Sequence, residues 1–317
     1  MRLRAFFVIL ASMLLAAPAA ARAQRPLRTQ DAEPIAAGRV RVELGLEYER
    51  DRSYPLSGLS GDLLRAPTVA LAFGLGGIAE FQVGVGFNIL FVDGRRPAPL
   101  ADKLDFDGDM TTDIEDPFVA TKIRLKHETG RRPAVALLFA TRLPSAGNDS
   151  GLGNDAIDVF IELLAGKSIG ETRFAGNFGL GVLSVPTQGD RQNDVVTAGL
   201  SLVRPLGERW ALAAEVNGRV DVKGETPAGT EDRGQARLGA RYVLKRFRLD
   251  GALLADLAQD DAELGFTAGV TYEFQGLEPG STALPRRPAG LSQAEPQQQS
   301  EGDDRHAHDA PDPRVTL

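Results

Sequence analysis

The chain has 317 residues, a formal net charge of −7 and no cysteine. The negative charge argues against nucleic acid as a partner. The missing thiols exclude a disulfide framework and a thiolate metal site. This length can hold one large domain or two ordinary ones.

The first 23 residues have the pattern of a secretory signal peptide. Arg2 and Arg4 form a basic start, residues 6–15 are an apolar run, and Ala21-Arg22-Ala23 supplies a small-x-small cleavage site. The apolar run is too short to anchor the chain in a bilayer. Residues 1–23 are therefore predicted to be removed, which would leave residues 24–38 as a short polar segment in the periplasm.

The rest of the chain alternates apolar and polar residues with a period of two, which predicts β-strands. Residues 79–91 are the clearest case, because apolar side chains occupy every second position from Phe81 to Phe91. About twelve such spans of about ten residues occur, the length that a tilted strand needs to cross a bilayer. The predicted strands are 39–48, 63–73, 79–91, 117–126, 134–143, 155–165, 173–182, 195–203, 210–222, 234–244, 247–257 and 263–274.

The connections between these strands alternate between longer and shorter, except for the last one at residues 259–262. In bacterial barrels the short turns face the periplasm, and an even number of strands places both termini there. The last strand ends at Phe274 with Tyr272 two positions earlier, like the closing strand that the barrel-assembly machinery reads. We expect it to pair with the first strand.

The fold prediction is all-β: a transmembrane antiparallel β-barrel of about 12 strands over residues 39–274, in the bacterial outer membrane. Outer-membrane lipid, lipopolysaccharide and the barrel-assembly machinery are its predicted partners. A soluble sandwich also alternates, but regular hairpins with the longer connections on one side favour the barrel. Residues 275–317 are rich in Pro, Gln and acidic residues, and are predicted to be a disordered periplasmic tail.

If the apolar rows face lipid, the opposite rows face the lumen, and these rows carry charges of both signs. Their ion pairs could set the selectivity of a polar path, or they could pair with one another and fill the barrel. The candidate lumen-lining residues are Arg41, Glu43, Lys122, Arg124, Arg142, Asp158, Glu162, Glu215, Arg219, Arg237, Arg241 and Asp250.

Two other features carry potential chemistry. The acidic loop at residues 105–109 reads D-F-D-G-D, and its carboxylates could converge on a hard cation such as calcium. Its spacing does not match an EF-hand, so a solvated surface loop is the favoured interpretation. The chain has three histidines, His127, His306 and His308, and none lies where a membrane-facing general base is needed. No enzyme activity, cofactor or metal site is predicted.

Two segments resemble a family of outer-membrane proteins linked to the meta-cleavage pathway of phenol degradation. They are D-I-E-D-P-F-V-A-T-K-I-R-L at 113–125 and P-A-V-A-L-L-F-A-T-R-L-P-S-A-G at 133–147, within a resemblance that covers residues 63–274. Glu115 replaces a family glycine in the first segment, and Ser145 and Ala146 alter the turn in the second. The resemblance implies a barrel of about twelve strands that takes up small hydrophobic or aromatic compounds.

The function hypothesis is passive passage of small molecules through the barrel, with hydrophobic or aromatic solutes as candidates. The alternative is a structural or surface-interaction barrel whose lumen is closed. The absence of an inserted plug domain in the sequence pattern argues against energy-coupled transport.

Overall fold

The structure is a computed structural model that describes residues 25–188, 191–224, 226–258 and 262–276. The predicted signal peptide lies outside these residues, as does the predicted tail after Gly276. Within the described residues, no helix is long and apolar enough to cross a membrane.

The described residues form thirteen strands and one short 3-10 turn, Ala101–Lys103. The strands are β1 (Arg39–Tyr54), β2 (Leu59–Leu75), β3 (Ala79–Arg95), β4 (Met110–Ile114), β5 (Phe118–Lys126), β6 (Ala134–Arg142), β7 (Asp158–Ile169), β8 (Thr172–Ser184), β9 (Gln192–Leu206), β10 (Trp210–Asp221), β11 (Arg233–Leu244), β12 (Phe247–Asp256) and β13 (Leu264–Gln275).

The strands form one closed antiparallel barrel. Strand β1 pairs with β2 on one side and with β13 on the other, in a register that sets Arg39 opposite Gln275 and Arg50 opposite Leu264. Strands β4 and β5 both pair with β3, at its outer and inner halves, so the 13 strands occupy twelve positions. The predicted fold class and the predicted closure of the first strand by the last are confirmed.

The first three strands are longer than the sequence pattern predicts. Residues 51–61 are predicted as a loop, but β1 continues to Tyr54 and β2 begins at Leu59. The connection predicted between residues 91 and 117, which includes the acidic loop at 105–109, likewise contains the end of β3 and the whole of β4. These extensions are less apolar because they pair with one another beyond the hydrocarbon layer, where period-two apolarity is not required.

The two faces of the barrel wall have opposite chemistry. Leu200, Leu253 and Phe178 point outward and are 66%, 63% and 61% exposed. In contrast, Arg241 and Lys122 point inward and are each only 2% exposed. A wall with an apolar exterior, a polar interior and no free edge is the arrangement that a lipid bilayer requires. The fold is that of a bacterial outer-membrane β-barrel.

Candidate functional site in the barrel lumen

Residues 25–38, which we call the N-terminal collar, lie inside the barrel and follow its inner wall. Starting next to β1, the collar contacts β3, then β5, β8, β10, β11 and β12 in turn. At the far end Arg25 donates hydrogen bonds to Thr267 on β13 and to Thr68 on β2. The collar therefore makes a full circuit of the lumen.

Lumen carboxylates hold the collar through its main-chain amides. Glu215 accepts hydrogen bonds from the backbone N–H groups of Arg28 at 2.9 Å and Thr29 at 2.5 Å. Glu80, on the opposite side, accepts one from the Ile35 N–H at 2.7 Å. Both carboxylate side chains are fully buried. An extended segment leaves its amides unpaired, and these acceptors satisfy them away from water.

Arginine and lysine side chains of the inner wall donate hydrogen bonds to the main-chain carbonyl oxygens of the collar. Arg237 donates to the Pro26 carbonyl oxygen at 3.0 Å, and Arg241 donates to the Arg25 carbonyl oxygen at 2.8 Å. Lys122 donates to the carbonyl oxygen of Asp31 at 3.1 Å. The inner wall therefore pairs with both N–H and C=O groups of the collar, which explains why its charges have both signs.

Side-chain ion pairs fix the collar at intervals. Arg25 pairs with Asp250 at 3.2 Å, and Glu33 pairs with Arg124 at 2.7 Å. Asp31 forms a two-pronged pair with Arg173, since Nε and Nη2 of the guanidinium reach different carboxylate oxygens. Such paired charge-assisted bonds are stronger and more directional than single ones.

Glu128, in the turn between β5 and β6, holds Arg173, the residue that pairs with Asp31 of the collar, at the short-turn end of the barrel. It accepts hydrogen bonds from the Ser168 N–H, from Lys167 and from Arg173. Burial raises the pKa of the Glu128 carboxyl, but these donors outweigh burial and lower the pKa to about 2. The carboxylate stays charged at any pH of the cell envelope and holds Arg173 in place for Asp31.

Apolar contacts supplement the polar ones. Ala32 is fully buried in a cluster with Ala134, Ala136, Leu138 and Leu164 on the inner wall. Leu27 is 6% exposed and packs against Val203, Ala211 and Ala213. Small wall residues make room for the collar at these places.

The position of this segment differs from the sequence-based expectation. Residues 24–38 were expected outside the barrel, in the periplasm, whereas residues 25–38 lie in its lumen. The reason is physical: the collar is polar and extended, so it gains most where charged groups can pair with its backbone. Prediction from composition alone misses this, because a polar segment also suits water.

At least six of the twelve candidate lumen residues contact the collar. They are Lys122, Arg124, Glu215, Arg237, Arg241 and Asp250.

The other six candidates contact wall or loop residues. Arg142 pairs with Asp158, and Arg219 donates to the carbonyl oxygen of Glu231. Glu162 accepts hydrogen bonds from Thr197 and Asn177. Arg41 and Glu43 make longer ion pairs with Glu273 and Arg248, respectively.

Loops cover much of the opposite end of the barrel. In the loop between β1 and β2, Ser57 donates to the carbonyl oxygen of Gly151, and Leu56 accepts a hydrogen bond from the Leu100 N–H. Leu56 also packs against Gly229 of the loop between β10 and β11. Below these contacts is an apolar cluster of Leu59, Leu63 and Leu90 with Tyr54, Val92, Leu104, Phe106 and Leu152 around it.

A cavity of about 710 Å³ remains between the collar and the outer loops. Arg28, Thr29 and Gln30 line it on the collar side, and Tyr54 and Leu56 line it on the loop side. The volume lies within the range of about 300–1,000 Å³ typical of small-molecule sites.

The cavity wall has an apolar half that the sequence analysis does not predict. Phe118, Leu138, Ala140 and Phe160 line the cavity from β5, β6 and β7. They alternate with outward residues that are also apolar, such as Phe139, so no contrast between the faces identifies them. The available signal is the run of apolar residues at 134–140, which indicates a strand that is apolar on both faces.

The acidic loop is held by hydrogen bonds within the barrel's outer end. The Asp105 N–H donates to the Asp149 carbonyl oxygen at 3.0 Å, and the Asp109 carbonyl oxygen accepts a hydrogen bond from the Val92 N–H at 2.8 Å. Among the described residues, no group of three or more His, Asp and Glu side chains is placed to hold a metal ion. His127 lies in the short turn after β5, beside Arg124, and His306 and His308 lie outside the described residues.

Neither a protein-family model nor a curated protein sequence matches the chain. Among solved structures, the chain is similar to an outer membrane channel from Pseudomonas putida F1, with a TM-score of 0.56 and 13% identity over 77% of this chain and 98% of that one. The translocator domain of the autotransporter NalP from Neisseria meningitidis has a TM-score of 0.46 and 17% identity, over 74% of this chain and 88% of that one. At such identities the likeness to the Pseudomonas channel is one of fold.

Proposed function

We propose that this protein is a passive channel of the bacterial outer membrane, through which small solutes pass by way of the lumen. The observation that carries the proposal is the cavity of about 710 Å³ enclosed by the barrel. A barrel filled only for stability would pack its interior as densely as a soluble core. The fold shared with an outer membrane channel supports the same conclusion.

Aromatic and other hydrophobic compounds are the first solutes to test. The resemblance of residues 113–125 and 133–147 to a family linked to phenol degradation supports this choice. The apolar half of the cavity supports it independently, because Phe118 and Phe160 offer ring surfaces inside an otherwise charged lumen. Insertion by the barrel-assembly machinery belongs to the same proposal, supported by a closing strand that carries Tyr272 and Phe274 near its end.

The collar defines how such a channel would be restricted. It runs around the wall rather than across the lumen, so a solute would pass through the opening that it surrounds. The Arg28 side chain leaves the collar where Glu215 on β10 holds its backbone and pairs with Glu47 on β1 at 2.7 Å. It is 51% exposed, so it is placed to narrow that opening. The collar would limit passage to small solutes.

A second candidate is a structural barrel with a closed lumen. The observations that favour it are the full circuit of the collar and the loop contacts of Leu56 and Ser57 across the outer end. It differs from the channel in one measurable respect, since it conducts nothing until the collar is displaced.

Planar-bilayer recording of the purified protein tests the choice. The channel predicts discrete conductance steps in the wild type that change when Arg219→Ala alters the cavity charge. The closed barrel predicts silence in the wild type and conductance only after Glu215→Ala removes the collar's acceptor. A folded wild-type protein that stays silent would refute the channel, and silence in Glu215→Ala as well would contradict the prediction of the closed barrel.

A further inference from the structure

The cavity has a second chemical feature besides its apolar half. Arg142, Arg219 and Arg233 line it from β6, β10 and β11. The charge of Arg219 interacts with those of both other arginines and with Asp158 and Glu231. Two other guanidinium groups therefore lie close enough to Arg219 to repel its charge, and the Glu162 carboxylate lines the same cavity.

Arg219 and Arg142 differ in how they are held. Arg142 pairs with Asp158 at 2.9 Å, and its side chain is still 36% exposed. Arg219 donates to the carbonyl oxygens of Glu231 at 3.1 Å and Gly229 at 3.5 Å. Carbonyl oxygens orient the guanidinium without neutralising it, so its charge remains available to a ligand.

The strand register places apolar rings directly beside Arg142. Phe118 on β5 lies opposite Arg142 on β6, and Ala140, two residues before Arg142, lies opposite Phe160 on β7. Directly opposed side chains have Cβ atoms about 4.5–5.5 Å apart. The two rings also pack against the apolar cluster around Leu138 and Leu164, which fixes their positions.

We propose that this cavity binds small organic carboxylates, with the carboxylate near Arg142 and Arg219 and the apolar body against Phe118 and Phe160. The inference rests on the proposed channel function and specifies its solute class. A planar guanidinium matches a carboxylate through two parallel hydrogen bonds. Few polar groups at one end of a largely apolar site are the usual means of fixing the orientation of a ligand.

Binding is measured on the purified protein in detergent by titration calorimetry, which requires no transport. Benzoate is the main probe, benzamide is its neutral isostere, and acetate carries the charge without the ring. Benzoate is expected to bind about tenfold more tightly than either. Benzamide lacks the charge-assisted bonds, which are roughly twice as strong as neutral ones, and acetate lacks the apolar ring that would be buried against Phe118 and Phe160. Equal affinity for benzamide and benzoate would overturn the proposal without any variant.

The variants then locate the site. Arg219→Gln is expected to weaken benzoate binding about tenfold, and Arg219→Lys, which keeps the charge, is expected to weaken it less. Arg204→Gln is the matched control, since Arg204 is a buried wall arginine that donates to Thr172 outside the cavity. Unchanged binding in Arg219→Gln, or an equal loss in Arg204→Gln, would refute the site.

Solute flux through liposomes, measured separately, distinguishes the two proposals. Binding that follows the pattern above in a protein without flux refutes the channel and leaves the carboxylate site intact. Flux without preference for carboxylates, together with absent binding, refutes the site and leaves the channel intact.

Discussion

Removing the Glu215 carboxylate should release the collar from the middle of its path. Glu215 accepts hydrogen bonds from two collar amides, and it also lies 3.7 Å from Arg237, with its own side chain fully buried. In Glu215→Ala the two collar N–H groups and the Arg237 guanidinium remain buried but no longer have this carboxylate as an acceptor. Removing one partner of a buried charged pair destabilises the remaining contact by about 3–5 kcal/mol. The loss of each hydrogen bond to a charged group destabilises it by about 1.5–3 kcal/mol.

The lower end of these values, about 3 kcal/mol, corresponds to about a hundredfold increase in the equilibrium population of the detached collar. Hydrogen exchange followed by mass spectrometry measures this population directly, because the Arg28 and Thr29 amides are protected by Glu215 itself. Peptides covering residues 25–38 should exchange about a hundredfold faster in Glu215→Ala, whereas peptides from β10 should keep their protection. Conductance in planar bilayers should rise in the same variant.

Glu162→Ala is the matched control, since Glu162 is an inner-wall carboxylate that accepts hydrogen bonds from Thr197 and Asn177 and not from the collar. Both variants should migrate as folded, heat-modifiable barrels on gels. Collar exchange that is unchanged in Glu215→Ala, or accelerated equally in Glu162→Ala, would show that the wall carboxylates do not hold the collar.

Three further changes test the role of Glu128 in holding the collar, the lipid-facing surface of the barrel, and the fit of the collar to the wall. The pKa of Glu128 is lowered to about 2 from its ordinary value of 4.5. The carboxylate therefore stabilises the collar fully above pH 4.5, and this stabilisation is lost as the pH falls through about 2. Pulsed hydrogen exchange of the collar at successive pH values should show the loss. Leu200→Arg, on the lipid face at the middle of β9, should destabilise the barrel by about 2–4 kcal/mol in denaturant unfolding from vesicles. A Cβ atom at Gly45 would lie 2.3–2.5 Å from the Arg25 guanidinium, so Gly45→Ala should speed exchange at the start of the collar and leave the barrel folded.

Each of these changes has a control that separates the stated cause from a general effect. Glu128→Gln should abolish the acid-dependent step. Leu244→Arg, at the end of a strand, should cost only about 0–1 kcal/mol. Gly84→Ala changes an inward glycine whose added Cβ would meet its nearest neighbours at 3.7 Å, and it should leave collar exchange unchanged. A control that behaves like its test variant would contradict the corresponding explanation.

The barrel could be predicted from the sequence because its wall obeys one strict rule. Lipid on one side and a polar lumen on the other force a two-residue period on nearly every strand. Closure between β1 and β13 followed from the need to leave no edge in the bilayer. The errors in strand length occur at residues 51–61 and after residue 91, outside the region where lipid imposes the rule.

The collar could not be predicted, because its position depends on partners that are remote in sequence. Asp31 reaches Arg173, and Arg25 reaches Asp250; both pairs form only after the barrel closes. The polar composition of residues 25–38 is equally suited to water. Several wall glycines are a trace of the collar in the sequence, because a Cβ at 45, 74, 199 or 269 would collide with collar atoms. This trace can be recognised only once the position of the collar is known.

The collar also changes what the lumen charges mean for transport. Before it is placed, charges of both signs along the wall suggest a uniformly polar pore. Most of them on the collar side are already engaged, since Glu215, Lys122 and Arg237 bond to its backbone. Other charges lie on the loop side, where Arg142 and Arg219 line the same cavity as the apolar rings. Recognition of the solute's charge and attachment of the collar are thus assigned to different parts of the same inner wall, so Arg219→Gln should leave the hydrogen exchange of the collar unchanged.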